Sequence, residues 1–292
     1  MPSNPKAGKT RGPRLLALDI DHTLTGNDHA ITEPNAEAVA WARGLGVRVT
    51  VITGRRYSGS AETHAALLGL EGPIGVHYGR RVVEHPSGRV LRNHPLPEGC
   101  VESLLRVTGR FPKAYVSVFA GDDLWFEKIP ADLESILPIR VFQGNLREIA
   151  ATRRDEILTL HVSEPSGAEA ARAVAEEAAR LFPGRLTLYF SPWSGDPNGL
   201  LTVISSEADK GTALVEIAAM AGVDPADTVA MGDSVPDIPM LRKAGVGVAM
   251  EWSPGEVREA ADVVAEGDPT DAVARAIRRL FGPAPGAPGS GP

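Results

Sequence analysis

A short apolar run that ends in two aspartates constrains this chain more than any other feature of its sequence. Leu15–Leu18 has the character of a buried strand, and Asp19 and Asp21 follow it directly. Because side chains alternate along extended backbone, both carboxylates would project from the same side where the strand ends. Two ionised carboxylates so placed repel each other unless a hard divalent cation such as Mg²⁺ lies between them. The pattern therefore predicts a metal-assisted site, with turn capping by the two aspartates as the alternative.

A second strand-like segment, residues 47–52, is followed by Thr53, Gly54 and Arg55. The Thr53 hydroxyl can donate to a phosphate oxygen, and Gly54 lets backbone amides approach that oxygen closely. An ordinary strand-to-helix turn capped by Thr53 is the alternative. Together with the other motifs the segment favours the phosphate-binding role, because a phosphoryl-transfer site requires hydrogen-bond donors to the phosphate as well as metal ligands.

Lys210 follows Asp209, a typical helix N-cap, and therefore falls in the first turn of a predicted helix. A lysine is electrostatically unfavourable at the positive end of a helix unless it points at an anion that the helix dipole also attracts. Lys210 is therefore a candidate phosphate-binding residue. A solvated surface lysine is the alternative.

Two further acidic residues follow an apolar run that ends near residue 231. Asp233 stands where that strand would end, and Asp237 lies four residues later at the start of the next helix. Both can serve as metal ligands, although Asp237 also fits a simple role at a helix start. The combination with the other three motifs favours the metal.

In this order the four motifs resemble those of the haloacid dehalogenase superfamily of phosphohydrolases. The chain is most similar to the Cof-like group, sugar-phosphate phosphatases that carry an α+β cap. The matching segments are Asp19-Ile20-Asp21-His22-Thr23, Thr53-Gly54-Arg55, Lys210-Gly211, and Gly232-Asp233 through Asp237. Four ordered motifs are far more specific than any one of them.

The resemblance implies a mechanism and gives each motif a role. Asp19 would attack phosphorus to form an aspartyl-phosphate, and Asp21 would act first as general acid and then as general base. Mg²⁺ would be held by Asp19, the backbone carbonyl of Asp21 and Asp233. Asp237 would bind the metal directly or through water, or would orient Lys210. The phosphate-binding residues would be Thr53, Gly54 and Lys210.

Three positions depart from the usual family pattern. Glycine is usual where this chain has His22, and asparagine is usual where it has Pro236. Relatives often show Asn-Gly after the third strand, where this chain has a His-Tyr-Gly-Arg sequence at 77–80. These differences bear on the substrate rather than on the chemistry. The candidate substrate contacts near the core pocket are Arg55, His77, Tyr78 and Arg80.

Outside the middle of the chain, strand-like and helix-like segments alternate, which is typical of an α/β fold with a Rossmann-like parallel sheet and helices on both faces. Ligands bind beyond the carboxyl ends of the strands in such sheets, and all four motifs fall there or at the adjacent helix start. The expected strands lie near 14–20, 47–52, 73–77, 227–231, 246–249 and 262–264. The expected helices lie near 33–44, 58–69, 210–221, 236–243, 254–260 and 270–281.

The middle of the chain has a different pattern of apolar and polar residues. After a predicted hairpin at Ser87-Gly88, alternating runs at 115–119, 157–162 and 185–190 indicate a largely antiparallel sheet. A helix near 167–181 would cover that sheet with the apolar stripe Ala171, Val174, Ala175, Ala178 and Leu181. We therefore expect an inserted α+β cap domain at 82–198, a core domain at 14–81 and 199–281, and disordered tails at 1–13 and 282–292.

Composition excludes several other classes of function. The net charge of −7 argues against a broad nucleic-acid surface. Cys100 is the only cysteine, so neither an intrachain disulfide nor a cysteine metal cage can form. No stretch approaches membrane-spanning length, and the apolar run before Asp19 is too short for a signal sequence, so we expect a cytoplasmic protein without a membrane partner.

Three functional hypotheses follow. The favoured one is a Mg²⁺-dependent phosphatase that acts on a small phosphorylated metabolite, such as a sugar phosphate or a phosphoglycerate derivative. A phosphomutase of the same superfamily would return the phosphoryl group to a sugar instead of releasing it to water. A non-catalytic protein that binds phosphometabolites is the third, although the presence of every acid and of Lys210 argues against it. The oligomeric state is open.

Overall fold

A computed structural model of the chain describes residues 14–26, 30–131, 141–165, 167–193 and 195–282. Of the predicted tails, residues 1–13 and 283–292 lie outside the described residues. The chain divides into two compact units, a core unit within residues 14–91 and 209–282 and an inserted unit at 92–208. The division falls after Leu91 and after Ala208, whereas the domain boundaries predicted from the sequence lie after residues 81 and 198.

The core unit contains the predicted parallel sheet. Its five strands lie in the order β14-β13-β12-β1-β2, and every neighbouring pair is parallel. Leu18 at the end of β1 aligns with Met231 on one side and with Val51 on the other, so these strands end at the same edge. The strands are β1 (Leu15–Leu18), β2 (Arg48–Val51), β12 (Thr228–Gly232), β13 (Val246–Met250) and β14 (Val263–Ala265).

Helices cover both faces of this sheet, as predicted. Leu16 and Leu18 of β1 share one buried cluster with residues of α1 and α9. Leu15 and Ala17 point the other way and share a second cluster with residues of α6, α7 and α8, because successive strand residues face opposite sides. The helices of this unit are α1 (Glu33–Gly44), α2 (Glu62–Leu67), α6 (Lys210–Met220), α7 (Ile238–Lys243), α8 (Gly255–Ala260) and α9 (Ala272–Phe281).

The strand predicted near 73–77 forms, but not as a regular member of the parallel sheet. It is β3 (Gly72–Val76), and it pairs antiparallel with β4 (Arg81–His85), which continues through the predicted Ser87-Gly88 hairpin to β5 (Arg89–Asn93). A single β-bridge, between Ile52 and Gly75, joins it to the parallel sheet just beyond the end of β2. The Thr50 hydroxyl of β2 also donates to the Pro73 carbonyl at 2.8 Å, so β3 lies beside β2 without regular strand pairing.

The inserted unit contains a six-stranded sheet in the order β10-β11-β9-β6-β7-β8, antiparallel except for the β7-β8 pair. The strands are β6 (Tyr115–Ala120), β7 (Asp123–Phe126), β8 (Val141–Gln143), β9 (Ile157–Ser163), β10 (Leu186–Trp193) and β11 (Asp196–Ser205). The helices are α3 (Cys100–Thr108), α4 (Leu146–Thr152) and α5 (Glu169–Leu181).

Helix α5 packs on the sheet largely through the predicted stripe. Ala171, Val174 and Ala178 are buried in the apolar cluster of this unit, and Ala175 packs against it. Leu181 is an exception, since it is 37% exposed at the end of the helix. Within the described parts of the chain, no helix has the length and apolar character that crossing a bilayer requires.

Candidate active site

The parallel strands bring the first and last motifs together. The Asp19 amide donates to the carbonyl of Met231 at 3.0 Å, so the pairing of β1 with β12 continues one residue past the strand. Asp19 and Asp233 consequently emerge from adjacent strands at the same edge of the sheet, where ligands bind in folds of this kind.

Three carboxylates meet at this edge. Asp19, Asp233 and Asp237 each offer an oxygen, and these oxygens lie within 4.8 Å of one another. Burial, reinforced by the charge of Asp237, raises the pKa of Asp233 to about 6. Burial also raises the pKa of Asp19, against the opposing effect of Lys210. Three carboxylates with one lysine among them also leave the cluster with more negative charge than its protein partners balance.

Lys210 supplies the positive charge within this cluster. Asp209 caps helix α6 by accepting from the Thr212 amide at 2.6 Å, which places Lys210 in the first turn. The Lys210 Nζ donates to Asp19 Oδ1 at 2.6 Å and to Asp237 Oδ1 at 2.5 Å, and the residue is only 2% exposed. Burial opposes the charged form, but the two carboxylates outweigh it and raise the pKa of Lys210. The lysine therefore points at anions, as its unfavourable place on the helix suggested.

Asp237 has both carboxylate oxygens occupied by protein donors. Oδ1 accepts from Lys210, while Oδ2 accepts from the Asp233 amide at 3.1 Å, the Ser234 amide at 2.9 Å and the Ser234 hydroxyl at 2.7 Å. The β-carbon of any other residue at Gly232 would lie 2.5 Å from the Asp237 side chain, so this approach requires glycine. Asp237 therefore caps a helix start, as one interpretation of its sequence position predicted, and it also contacts Lys210.

The side chain of Asp21 points to Arg55 rather than into the acidic cluster. Arg55 Nε donates to Asp21 Oδ2 at 2.9 Å, and Arg55 Nη2 donates to Oδ1 at 2.6 Å. Burial alone would raise the pKa of Asp21, but the hydrogen bonds and charge of Arg55 outweigh it and lower the pKa. The predicted metal contact of Asp21 concerns its backbone carbonyl, which this side-chain pairing leaves unaffected.

The second motif lies beside Asp21. Thr53 is fully buried, and its hydroxyl oxygen accepts from the Arg55 amide at 3.2 Å. Gly54 lies against the ring of Tyr78, because a β-carbon at Gly54 would come within 2.6 Å of that ring. Of the two predicted phosphate-binding residues in this motif, Gly54 lines the open cavity of the core unit, whereas Thr53 is buried and does not line it.

Three residues other than glycine have left-handed backbone among the described parts of the chain, and all belong to this region. His22, His77 and Tyr78 have φ angles of 55°, 50° and 57°. Side chains other than glycine are disfavoured in this conformation, which accounts for the glycine usual at position 22. The Trp252 indole donates to the His22 carbonyl at 3.0 Å and so anchors the strained turn.

These residues surround an open cavity of about 430 Å³ within the core unit. His77 and Arg80, two of the candidate substrate contacts, are each 2% exposed and do not line it. Arg80 instead donates to the Tyr78 carbonyl at 2.7 Å, a contact that supports the turn at Tyr78. The residues that line the cavity are Asp19, Asp21, His22, Gly54, Arg55, Tyr78, Lys210, Asp233, Ser234 and Pro236.

The acidic cluster fits a hard divalent cation. Asp19 has Oδ1 on Lys210 and Asp233 has Oδ1 on the Thr23 hydroxyl at 2.8 Å, whereas no described residue donates to the second oxygen of either. Two open carboxylate oxygens and an excess of negative charge are what Mg²⁺ would satisfy. Asp237 has no oxygen left open in this way, which favours the third of its predicted roles, the orientation of Lys210.

Comparison with known proteins places the chain in a family. The model of the haloacid dehalogenase-like hydrolases matches residues 16–277. The chain belongs to this family. Its motifs had indicated the same superfamily and the Cof-like group, and both are confirmed.

Curated relatives and solved structures extend over nearly the whole chain. The 5-amino-6-(5-phospho-D-ribitylamino)uracil phosphatase YitU of Bacillus subtilis is 27% identical and aligns over 92% of this chain and 98% of its own. A phosphoglycolate phosphatase of Methanopyrus kandleri is 29% identical over 91% and 97%. A haloacid dehalogenase-like hydrolase from Bacteroides thetaiotaomicron has a TM-score of 0.77 at 23% identity, over 92% and 100%. The chain is a phosphatase-type hydrolase of this family.

Sequence reasoning missed three residues that shape the site. Thr23 and Ser234 lie inside the recognised motifs, and their hydroxyls could have been proposed as partners of the acids. Trp252 follows β13 with no motif around it, so nothing in the sequence indicated its contact with His22.

Proposed function

We propose that this protein is a Mg²⁺-dependent phosphatase that hydrolyses a small phosphorylated metabolite through an aspartyl-phosphate on Asp19. The observation that carries the proposal is the state of the Asp19 carboxylate. Lys210 holds one oxygen at 2.6 Å, no described residue donates to the other, and Asp19 lines the cavity together with Asp233. A carboxylate that has one oxygen held by a lysine and the other without a donor is suited to attack on phosphorus.

The reaction divides into two displacements. The cycle begins with Asp21 protonated, which requires one of its oxygens to be released from Arg55, because the pair with Arg55 favours the ionised form. In the first displacement, an Asp19 oxygen forms a bond to phosphorus, the bond from phosphorus to the ester oxygen breaks, and Asp21 gives its proton to the departing alkoxide. In the second, Asp21 takes a proton from water, the water oxygen attacks phosphorus, and the Asp19 carboxylate departs. The products are an alcohol and inorganic phosphate, and Asp21 ends with the proton it first gave away.

The other residues stabilise charge on the phosphoryl oxygens. Lys210 and the backbone amide at Gly54 would do so from the lining of the cavity, and the buried Thr53 would contribute its hydroxyl. When bound by Asp19 and Asp233, with the Asp21 carbonyl as the third protein ligand, Mg²⁺ would neutralise the carboxylates and polarise the phosphoryl group.

The substrate class is inferred from the relatives and from the size of the site. The named relatives act on a phosphorylated ribitylaminouracil and on phosphoglycolate, both small phosphate monoesters. We propose a substrate of this kind, a sugar phosphate or a phosphoglycerate derivative, encountered in the cytoplasm. The division into a core at 14–81 and 199–281 and a substrate-selecting cap at 82–198 stays a prediction.

The test measures phosphate release from a panel of sugar phosphates, phosphoglycerate derivatives and 4-nitrophenyl phosphate, with Mg²⁺ and with EDTA. We expect metal-dependent release by the wild type, and a loss of at least about a thousandfold in Asp19→Asn. Isomerisation of a sugar phosphate without phosphate release would identify a phosphomutase. Tight binding of a panel member with no turnover in Mg²⁺ would identify a binding protein.

A further inference from the structure

Arg55 makes contacts that its prediction as a substrate contact does not explain. Its guanidinium forms a two-point pair with Asp21, at 2.9 Å from Nε and 2.6 Å from Nη2. The Arg55 side chain is 20% exposed and that of Asp21 is 38% exposed, so the arginine is the more enclosed partner. A two-point pair fixes the plane of a carboxylate as well as its position, which a single charge cannot do.

The remaining terminal nitrogen of Arg55 rests on His64 of helix α2. Arg55 Nη1 lies 3.2 Å from Nδ1 and 3.1 Å from Nε2 of the imidazole. Nearly equal distances to both ring nitrogens place the guanidinium against the face of the ring rather than in line with one lone pair. His64 Nδ1 lies 2.9 Å from the Ser60 carbonyl, and because a carbonyl only accepts, we assign the proton to Nδ1. The ring is therefore fixed in place behind the arginine.

We propose that Arg55, supported by His64, is a positioning residue that holds the Asp21 carboxylate where it exchanges a proton with the ester oxygen and then with water. The inference rests on the proposed function, in which Asp21 is the general acid and base. Arg55 itself does not touch the reacting atoms. Its backbone amide also donates to the Thr53 hydroxyl oxygen at 3.2 Å, which ties the arginine to the end of the second core strand.

The inference predicts a dependence on the leaving group. An alkoxide departs slowly without a proton, whereas 4-nitrophenolate is stable and departs without one. A residue that positions the general acid should therefore affect the hydrolysis of alkyl phosphates far more than that of 4-nitrophenyl phosphate. A residue that only stabilises the fold would affect both substrates equally.

The experiment compares kcat and KM of wild type and Arg55→Lys on one active alkyl phosphate and on 4-nitrophenyl phosphate in saturating Mg²⁺. Lysine keeps the charge but cannot form the two-point pair. We expect kcat for the alkyl phosphate to fall by at least about tenfold, kcat for 4-nitrophenyl phosphate to fall by less than about threefold, and both KM values to stay within about twofold. His64→Ala should act in the same direction with a smaller loss.

A matched control makes the same arginine-to-lysine substitution at another ion pair of the core unit. Arg275 lies 2.9 Å from Asp271 on the surface, and its side chain is 55% exposed. We expect Arg275→Lys to leave both rates unchanged. Thermal melts of all variants record whether each one is folded.

Three results would overturn the inference. An increase in KM with kcat unchanged would make Arg55 a substrate contact, as the sequence suggested. Equal losses on both substrates would make its role structural, and unchanged rates would leave it without a role. In each case the proposed function is still supported if the wild type releases phosphate and Asp19→Asn does not. If the wild type releases no phosphate from either substrate, the proposed function fails and this inference fails with it.

Discussion

Asp233→Asn should stabilise the metal-free protein while it abolishes Mg²⁺-dependent activity. The wild-type carboxylate is buried beside Asp237, and only Thr23 donates to it through a side chain. Asparagine keeps an oxygen that can accept from the Thr23 hydroxyl, but it carries no charge. The substitution therefore removes an electrostatic cost that, in the native enzyme, the metal would offset.

The magnitude follows from the pKa of Asp233. Its folded-state pKa of about 6 lies above its ordinary value of 3.8. Each pKa unit corresponds to about 1.4 kcal/mol, so ionising Asp233 in the folded protein costs at most about 3 kcal/mol at neutral pH. The folded state binds the proton more tightly than the unfolded state does, so this cost is absent below pH 3.8, grows as the pH rises and is complete above about pH 6.

Urea denaturation in EDTA at pH 4.5 and at pH 7.5 measures this effect. We expect Asp233→Asn to exceed the wild type by about 1 to 3 kcal/mol in free energy of unfolding at pH 7.5, and by clearly less at pH 4.5. The control is Asp155→Asn, whose wild-type side chain is 91% exposed, and which should change stability by less than about 0.5 kcal/mol. An Asp233→Asn variant less stable than the wild type at pH 7.5 would refute the reasoning.

Two further predictions concern the same region. Lys210→Met leaves Asp19 and Asp237 without their buried cation, so it should lower the free energy of unfolding in urea at pH 7.5 by about 3 kcal/mol or more. The control Lys243→Met, at a side chain that is 44% exposed, should have little effect. Equal stability of the two variants would contradict the account. His22→Gly relieves the strain of a φ angle of 55°, so it should raise the free energy of unfolding in the same assay by up to about 1 kcal/mol, with phosphate release retained. A destabilised variant would show that the turn is not strained.

The meeting of Asp19, Asp233 and Lys210 could be predicted because it follows from general rules. Parallel strands end at a common edge, so residues after β1 and β12 must approach each other whatever the details of packing. The direction of Lys210 follows from the helix dipole, which makes an unpaired lysine unfavourable in a first turn. Neither rule depends on the identity of a particular partner side chain.

The pairing of Asp21 with Arg55 could not be predicted, because the two residues are 34 positions apart and neither backbone dictates which way the side chain turns. Strand β11 was missed for another reason. It begins Asp196-Pro-Asn-Gly, a run of typical turn residues, yet Asp196 pairs with Trp193 on β10. For the ion pair the sequence carries no local preference, and for β11 strand pairing overrides the local preference for a turn.

The most direct test of the central claim is to trap the covalent intermediate. During turnover of an active substrate with Mg²⁺, borohydride reduces an aspartyl-phosphate to homoserine, and mass spectrometry of the peptide that contains residue 19 locates the change. We predict homoserine at position 19 in the wild type only when substrate and Mg²⁺ are both present, and none in Asp19→Asn. Phosphate release without homoserine at position 19, or homoserine at another aspartate, would contradict the account.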